Sequence, residues 1–449
     1  MRGTALAASL LSVALLASAC GDARDTPEDE AAPEAETSWP EREASHGAVL
    51  PRLVVSDADS GTATVIDVAT GETVGTVEGA GPARLTPVTA DGTLVLLAQE
   101  GDDTVQLLDA GIRYEAHGGH ADPKPVEPAL VDGAQTIAAP GGVVVHDGHA
   151  AVLSHGDGAV SVFALDGSEA PAEFAAEATV ETGADGAGSA VPVGHDLVVG
   201  LGDDNGVRVL AEDGAVEHEF ADCPDAAGAA ATAEATALFG CADGVLEVTG
   251  HDGEWEAVKI ASPAGADGGR VTSIAGAPDQ EVVLGDYSDE SVVLIDTHDD
   301  TATEVAVPGT VAAIAWDPYW IRGLVLTADG VLHSVDPETG EIAHSVEATG
   351  GFAPEDGRAA IAVGENHVYL TNPATGELVE VSVSGDGLAV ERNQLLDLSP
   401  HDLAVVGLAA LDSGHEDEEA GHDHEDEEGH ADHEGEEDGH GHEEDGHDH

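Results

Sequence analysis

The sequence predicts an all-β fold: a single β-propeller of eight four-stranded blades, closed by pairing of the N- and C-terminal strands. Three observations carry this expectation. From about residue 48 to 410, short β-type runs alternate with Gly/Asp/Asn turns and no helical period is sustained. Eight runs share one form, an alternating apolar stretch ending in a turn, at 62–72, 103–111, 158–169, 206–217, 244–255, 290–301, 330–341 and 376–387. Their centres recur roughly every 45 residues, the period of a propeller blade. The ends also complement each other. The first blade, starting near Leu50, lacks its innermost strand, and a spare strand, His401–Gly407, follows the eighth. Pairing the two removes edges that would otherwise aggregate.

Each recurring run reads as the third strand of its blade, with two strand-like runs before it and one after. In the seventh blade the four are Val311–Trp316, Ile321–Thr327, Val331–Val335 and Glu341–Val346. The count is eight; it becomes seven if one run is an insertion.

Ahead of the repeats, residues 1–19 read as a signal peptide. Arg2 gives the positive start, and Thr4–Ala19 is an Ala/Leu-rich stretch shorter than the roughly 20 residues of a membrane span. Ala17-Ser18-Ala19 before Cys20 resembles a bacterial lipobox, with Ala17 where Leu is more usual. That resemblance makes Cys20 the first mature residue and the site of lipidation; the other reading is an ordinary signal peptide containing a cysteine. Residues 20–47, rich in Asp, Glu, Pro, Ala and Ser, read as a lipid-anchored disordered acidic tether. The propeller is expected over 48–411. Membrane attachment is expected through the N-terminal lipid only, on the outer face of the cell membrane.

Composition narrows the function classes. The 449 residues carry 13 Lys+Arg against 90 Asp+Glu, a formal net charge of −77. Such a chain will not bind nucleic acid or an anionic lipid surface electrostatically; cations and basic proteins suit it. Hydrophobic residues make up 42%, enough to build a core, whereas 3% aromatics argue against a stacking platform. Two further cysteines, Cys223 and Cys241, read as a disulfide in an exported chain. Closing that loop would stabilise the fold by roughly 3 kcal/mol in the chain-entropy model. A metal thiolate pair is the alternative, though the spacing is far from Cys-x-x-Cys.

Residues 412–449 hold 9 His and 19 Asp+Glu with no Lys or Arg, and read as a disordered metal-binding tail. The histidines are His415, His422, His424, His430, His433, His440, His442, His447 and His449. Side chains at i and i+2 project to one side of an extended chain, so His422/His424, His440/His442 and His447/His449 can each grip one ion. Imidazole with carboxylate suits Zn²⁺, and also Cu²⁺, Ni²⁺ and Co²⁺; the lack of Cys and Met argues against Cu(I). Acids alone would serve solubility, so the histidines need the metal reading.

A second metal candidate is Tyr114–Pro123, read as a polar loop on a propeller face. His117, His120 and Asp122 offer three ligands for a tetrahedral zinc, leaving one position open. The segment His117-Gly118-Gly119-His120-Ala121-Asp122 resembles the HGDH-type motif of the AztD-type bacterial zinc metallochaperones. Val143–Gly148, the Gly206–Leu210 run leading to Cys223-Pro224, and Phe239–Leu246 are similar to that family too, as are Leu284–Tyr287 and Leu324–Leu332. The resemblance spans most of residues 50–385. It implies an exported propeller that hands Zn²⁺ to the solute-binding protein of an ABC importer. The chain departs from the family where further histidines are expected: Gly142, 185–190 and 225–228 carry none. The alternatives are a surface zinc store, or an interaction scaffold without an importer client. A monomer is expected.

No Gly-x-Ser-x-Gly elbow, Walker-type loop or His-Glu-x-x-His is present, so the expectation is a protein that is not an enzyme. Propeller dehydrogenases and hydrolases exist, and the axial tunnel decides against them or for them.

Overall fold

In the computed structural model, the described residues are 38–40, 42 and 49–408, less 90–91, 118–119, 166–169, 184–187, 203–205, 234, 252, 264–268, 277–279 and 320. At 116–117, 120–122 and 233 only the backbone is described. Among the described residues no helix is long and apolar enough to cross a membrane.

Eight antiparallel sheets follow one another around a ring, and each of the eight runs supplies a third strand. Blade seven shows the unit: Val311–Trp316, Gly323–Thr327, Val331–Val335 and Ile342–Glu347, paired in sequence order. Blade one contains Arg52–Asp57, Thr62–Asp67 and Thr73–Glu78, and takes its innermost strand, Pro400–Val406, from the far end of the chain. The closing register runs Arg52↔Val406 to Ser56↔Asp402. The expected closure is therefore present, and the blade count is eight.

Local chemistry sets the turns. After Asp67, the Asp67 carboxylate accepts the Thr70 amide and Gly71 turns at φ +73°. Asp336-Pro337-Glu338-Thr339-Gly340 repeats the device, with Gly340 at φ +67°. Asp caps its own turn, and Gly takes the left-handed position that a Cβ disfavours.

The hydrophobic core lies between blades rather than at one centre. Every residue of Arg52–Asp57 is buried, because both faces of that strand meet a neighbouring sheet. Val54, Val65, Ala404 and Val406 of blade one pack on Leu85, Val95, Leu97 and Leu108 of blade two. Blade eight packs on blade one through Tyr369, Leu378, Leu53 and Val405. At about 1.5–3 kcal/mol for each fully buried large aliphatic side chain, these seams are the main favourable term.

The segment expected to be a tether is held to the ring within 38–42. Ser38 exchanges backbone hydrogen bonds with Asn393, and the Arg42 amide donates to Ala69 O. Arg392 lies 4.3 Å over the Trp39 ring. Beneath them the fully buried Glu380 accepts from Arg42, Arg392 and Tyr369 Oη.

Register fixes two faces. In blade two, Arg84↔Ala98 and Gln99↔Thr104 place the start of the innermost strand beside the second-to-third turn; we term this the upper face. Leu94↔Asp109 places the third strand's end on the opposite, lower face.

Candidate metal centre

The segment expected as a loop is a two-stranded hairpin, Ile112–His117 paired with His120–Pro125. It leaves the end of blade two's third strand, Thr104–Asp109, and so stands on the lower face. Its register is His117↔His120, Glu115↔Asp122 and Arg113↔Lys124. Positions directly opposite and two apart share one face of a ribbon. His117, His120, Asp122 and Glu115 therefore occupy register positions on a single hairpin face. Sequence reasoning missed Glu115 because it measured spacing along a loop. The signal was present in Gly118-Gly119, a two-residue connection of the kind that closes hairpins. Glu115 is exposed and forms an ion pair with Lys124.

The hairpin base is rigidly built. Arg52, 1% exposed, donates from Nη1 to the carbonyls of Ala110, Gly111 (2.8 Å) and Val126 (3.3 Å). Burial lowers its pKa, with Asp67 and Asp109 opposing. Asp109 accepts the Gly111 amide at 2.8 Å and pairs with Arg113 at 2.6 Å. Gly111 turns at φ +81°, against the backbone of 126–128, where a side chain would collide.

The chain leaves blade one beside this hairpin. Gly407 donates its amide to Gly92 O at 2.9 Å and packs against Ile112, the hairpin's first residue. Cys20 and the tail histidines His415, His422, His424, His430, His433, His440, His442, His447 and His449 lie outside the described residues. Among the described residues no group of three or more His, Cys, Asp or Glu is arranged to hold a metal.

Cys223 and Cys241 form a disulfide with Cα atoms 5.0 Å apart, both fully buried. It joins the link between blades four and five to blade five's second strand, Thr236–Cys241. The histidine-free stretches collect elsewhere: Gly142, Ser189 and Asp225–Gly228 all line the upper face around His155. They lie across the ring from the hairpin.

This architecture, an eight-bladed propeller with a polar hairpin on its lower face, defines the class of protein. No family model matches the chain. The zinc chaperone AztD of Citrobacter koseri is 26% identical over 386 residues, covering 83% of this chain and 90% of that protein. Two solved structures of Citrobacter koseri AztD share the fold. The apo form gives a TM-score of 0.71 at 24% identity, covering 80% of this chain and 99% of that one. The second gives 0.70, covering 80% and 98%. The dihydro-heme d1 dehydrogenase NirN shares the propeller alone, with a TM-score of 0.53 at 14% identity, covering 83% and 78%. In sequence and in fold the chain is similar to the zinc chaperone AztD.

Proposed function

We propose that this protein is an extracytoplasmic zinc chaperone that collects Zn²⁺ on its tail and hairpin and passes it to the solute-binding protein of an ABC importer. The reading is non-enzymatic, with the metal as cargo. The observation that carries it is the hairpin register, which assigns two histidines and two carboxylates to one face of the ribbon. That donor set suits a zinc ion held by His117, His120 and Asp122, with Glu115 released from Lys124 as a fourth ligand. The likeness to AztD across nearly its whole length supports the same role.

The tail's composition, dense in His, Asp and Glu with no Lys or Arg, supports a division of labour. Each ion bound to the tail must order a flexible segment, so tail sites are several, weak and quickly exchanged. The hairpin's strands are already paired, so its site is tighter. Lipidation at Cys20 would hold both near the membrane.

Calorimetric zinc titration tests this. Deleting 412–449 should remove most zinc equivalents and leave one tighter site; adding His117→Ala and His120→Ala should remove that one. Absence of zinc binding by the tail-deleted protein would overturn the hairpin site. The density of tail histidines also favours a second reading, a surface zinc store. Transfer from loaded protein to a purified solute-binding protein, faster than free dissociation, separates delivery from storage.

A further inference from the structure

The upper face gathers cations in a chain that has few. Arg84, Arg270 and Arg358, three of the 13 Lys+Arg, line one cavity of about 570 Å³ at the ring axis. A second cavity of about 500 Å³ adjoins it through Arg84, Arg270 and Thr272. Together they are lined by residues at or just before the innermost strands of all eight blades, so they form the mouth of the axial tunnel.

Elsewhere six of the eight described cations are matched by a carboxylate; Arg52 gives its guanidinium to backbone carbonyls, and Arg322 has no carboxylate within 4.0 Å among the described residues. Arg42, Arg113, Lys124, Arg208, Lys259 and Arg392 each have a carboxylate within 4.0 Å. Among the described residues the three mouth arginines have none. Carboxylates are close by, and two of them already accept hydrogen bonds. Asp286 accepts the Thr272 amide (2.6 Å), the Ser273 amide (2.7 Å) and the Thr272 hydroxyl. Asp402 accepts the Leu85 and Leu403 amides, both at 3.0 Å. Asp289 lines the first cavity, while Glu100 and Asp225 line the second. Arg270 spends one guanidinium nitrogen on the Asp225 carbonyl and leaves its Nε buried without a partner. Two more buried polar atoms without partners belong to this mouth: Tyr287 Oη, on a side chain 5% exposed, and His155 Nε2. Buried donors without acceptors are costly, at about 1–3 kcal/mol each.

We propose that the axial mouth binds a small multivalent oxyanion, held by the guanidiniums of Arg84, Arg270 and Arg358 with Tyr287 Oη as a further donor. Guanidinium forks match carboxylate and phosphate oxygens two at a time. The cavity volume fits a molecule of several carboxylates or a phosphate ester, and falls in the ordinary range for small-ligand sites. Arg84 is held below its usual pKa by burial first and by Arg358 next, which agrees with cations lacking their counterion. The site is independent of the zinc reading, being on the other face.

Citrate and inorganic phosphate are the probes, used separately on the full chain stripped of metal by resin and kept at low ionic strength. Calorimetry and thermal unfolding should show saturable binding of at least one, and their ranking distinguishes a carboxylate ligand from a phosphate one. Exposed Arg358 tolerates replacement, so Arg358→Gln should fold. It should raise the melting temperature of the ligand-free protein by relieving repulsion, and weaken the anion at least tenfold. The triple variant R84Q/R270Q/R358Q should lose the response. No binding of either anion at millimolar concentration would overturn the site. So would binding that R358Q leaves unchanged, or an R358Q protein less stable than wild type without anion.

Discussion

Arg52 Nη1 lies 2.8 Å from the carbonyl oxygen of Gly111, so one buried side chain in blade one fastens the base of the hairpin in blade two. The hairpin is thus an outgrowth of the seam that closes the ring, since Arg52 also pairs with Val406 of the closing strand.

Replacing Arg52 by Met strands three carbonyls at that base. Urea unfolding should show a loss of about 3 kcal/mol. Zinc affinity of the tail-deleted protein should fall with it, as the hairpin loses its fixed root. An R52M protein with unchanged stability would show that the guanidinium is not the fastening.

The disulfide invites a second measurement. Replacing Cys223 and Cys241 by Ser frees an 18-residue loop and puts hydroxyls among Val209, Phe239 and Trp255. A loss of about 2–4 kcal/mol is expected. The reduced wild type should match the variant closely.

A third concerns Arg392, 3% exposed, which neutralises Glu380 and lies over Trp39. Burial would raise the Glu380 pKa, but Arg392, His367 and Arg42 hold it below the usual value. Arg392→Ala leaves a buried carboxylate short of its partner, at a cost of about 3–5 kcal/mol. Trp39 should move toward water, read as a red shift in tryptophan emission.

Acid titration supplies a fourth. His333, His367 and His401 are all held below 6.5, first of all by burial. The unfolded chain then binds protons more readily than the folded one. Stability is therefore full above pH 6.5 and falls as pH drops below it, by up to about 1.4 kcal/mol per unit for each histidine. Denaturation midpoints between pH 7.5 and 5.5 should show this, with a shallower slope in His333→Asn. Zinc loading should weaken over the same window, because bound imidazole must be neutral.

What the sequence disclosed and what it hid follow one physical line. Strand runs such as Thr62–Asp67 and Val331–Val335 announce themselves locally, through alternation and Asp-to-Gly turns. The closing strand was legible because a missing inner strand and a surplus one balance. The hairpin was expected as a polar loop because Tyr114–Pro123 lacks the apolar alternation that marks a strand, while Gly118-Gly119 was the one local sign of a two-residue turn. The hold on Ser38 and Trp39 comes from Asn393 and Arg392, some 350 residues away, which no local pattern reports. Arg84, Arg270 and Arg358 lie on three blades, and only ring closure brings them to one mouth.

Blade one also imposes an order of events on folding. Strand Arg52–Asp57 is made early, yet its partner Pro400–Val406 follows nearly 350 residues later. Throughout synthesis its edge stays open, an apolar template for pairing with other chains. Contacts of such range form slowly, which prolongs the exposure. The surplus of carboxylates then acts as a chaperoning field of the nascent chain's own, keeping half-built molecules apart until the last strand arrives.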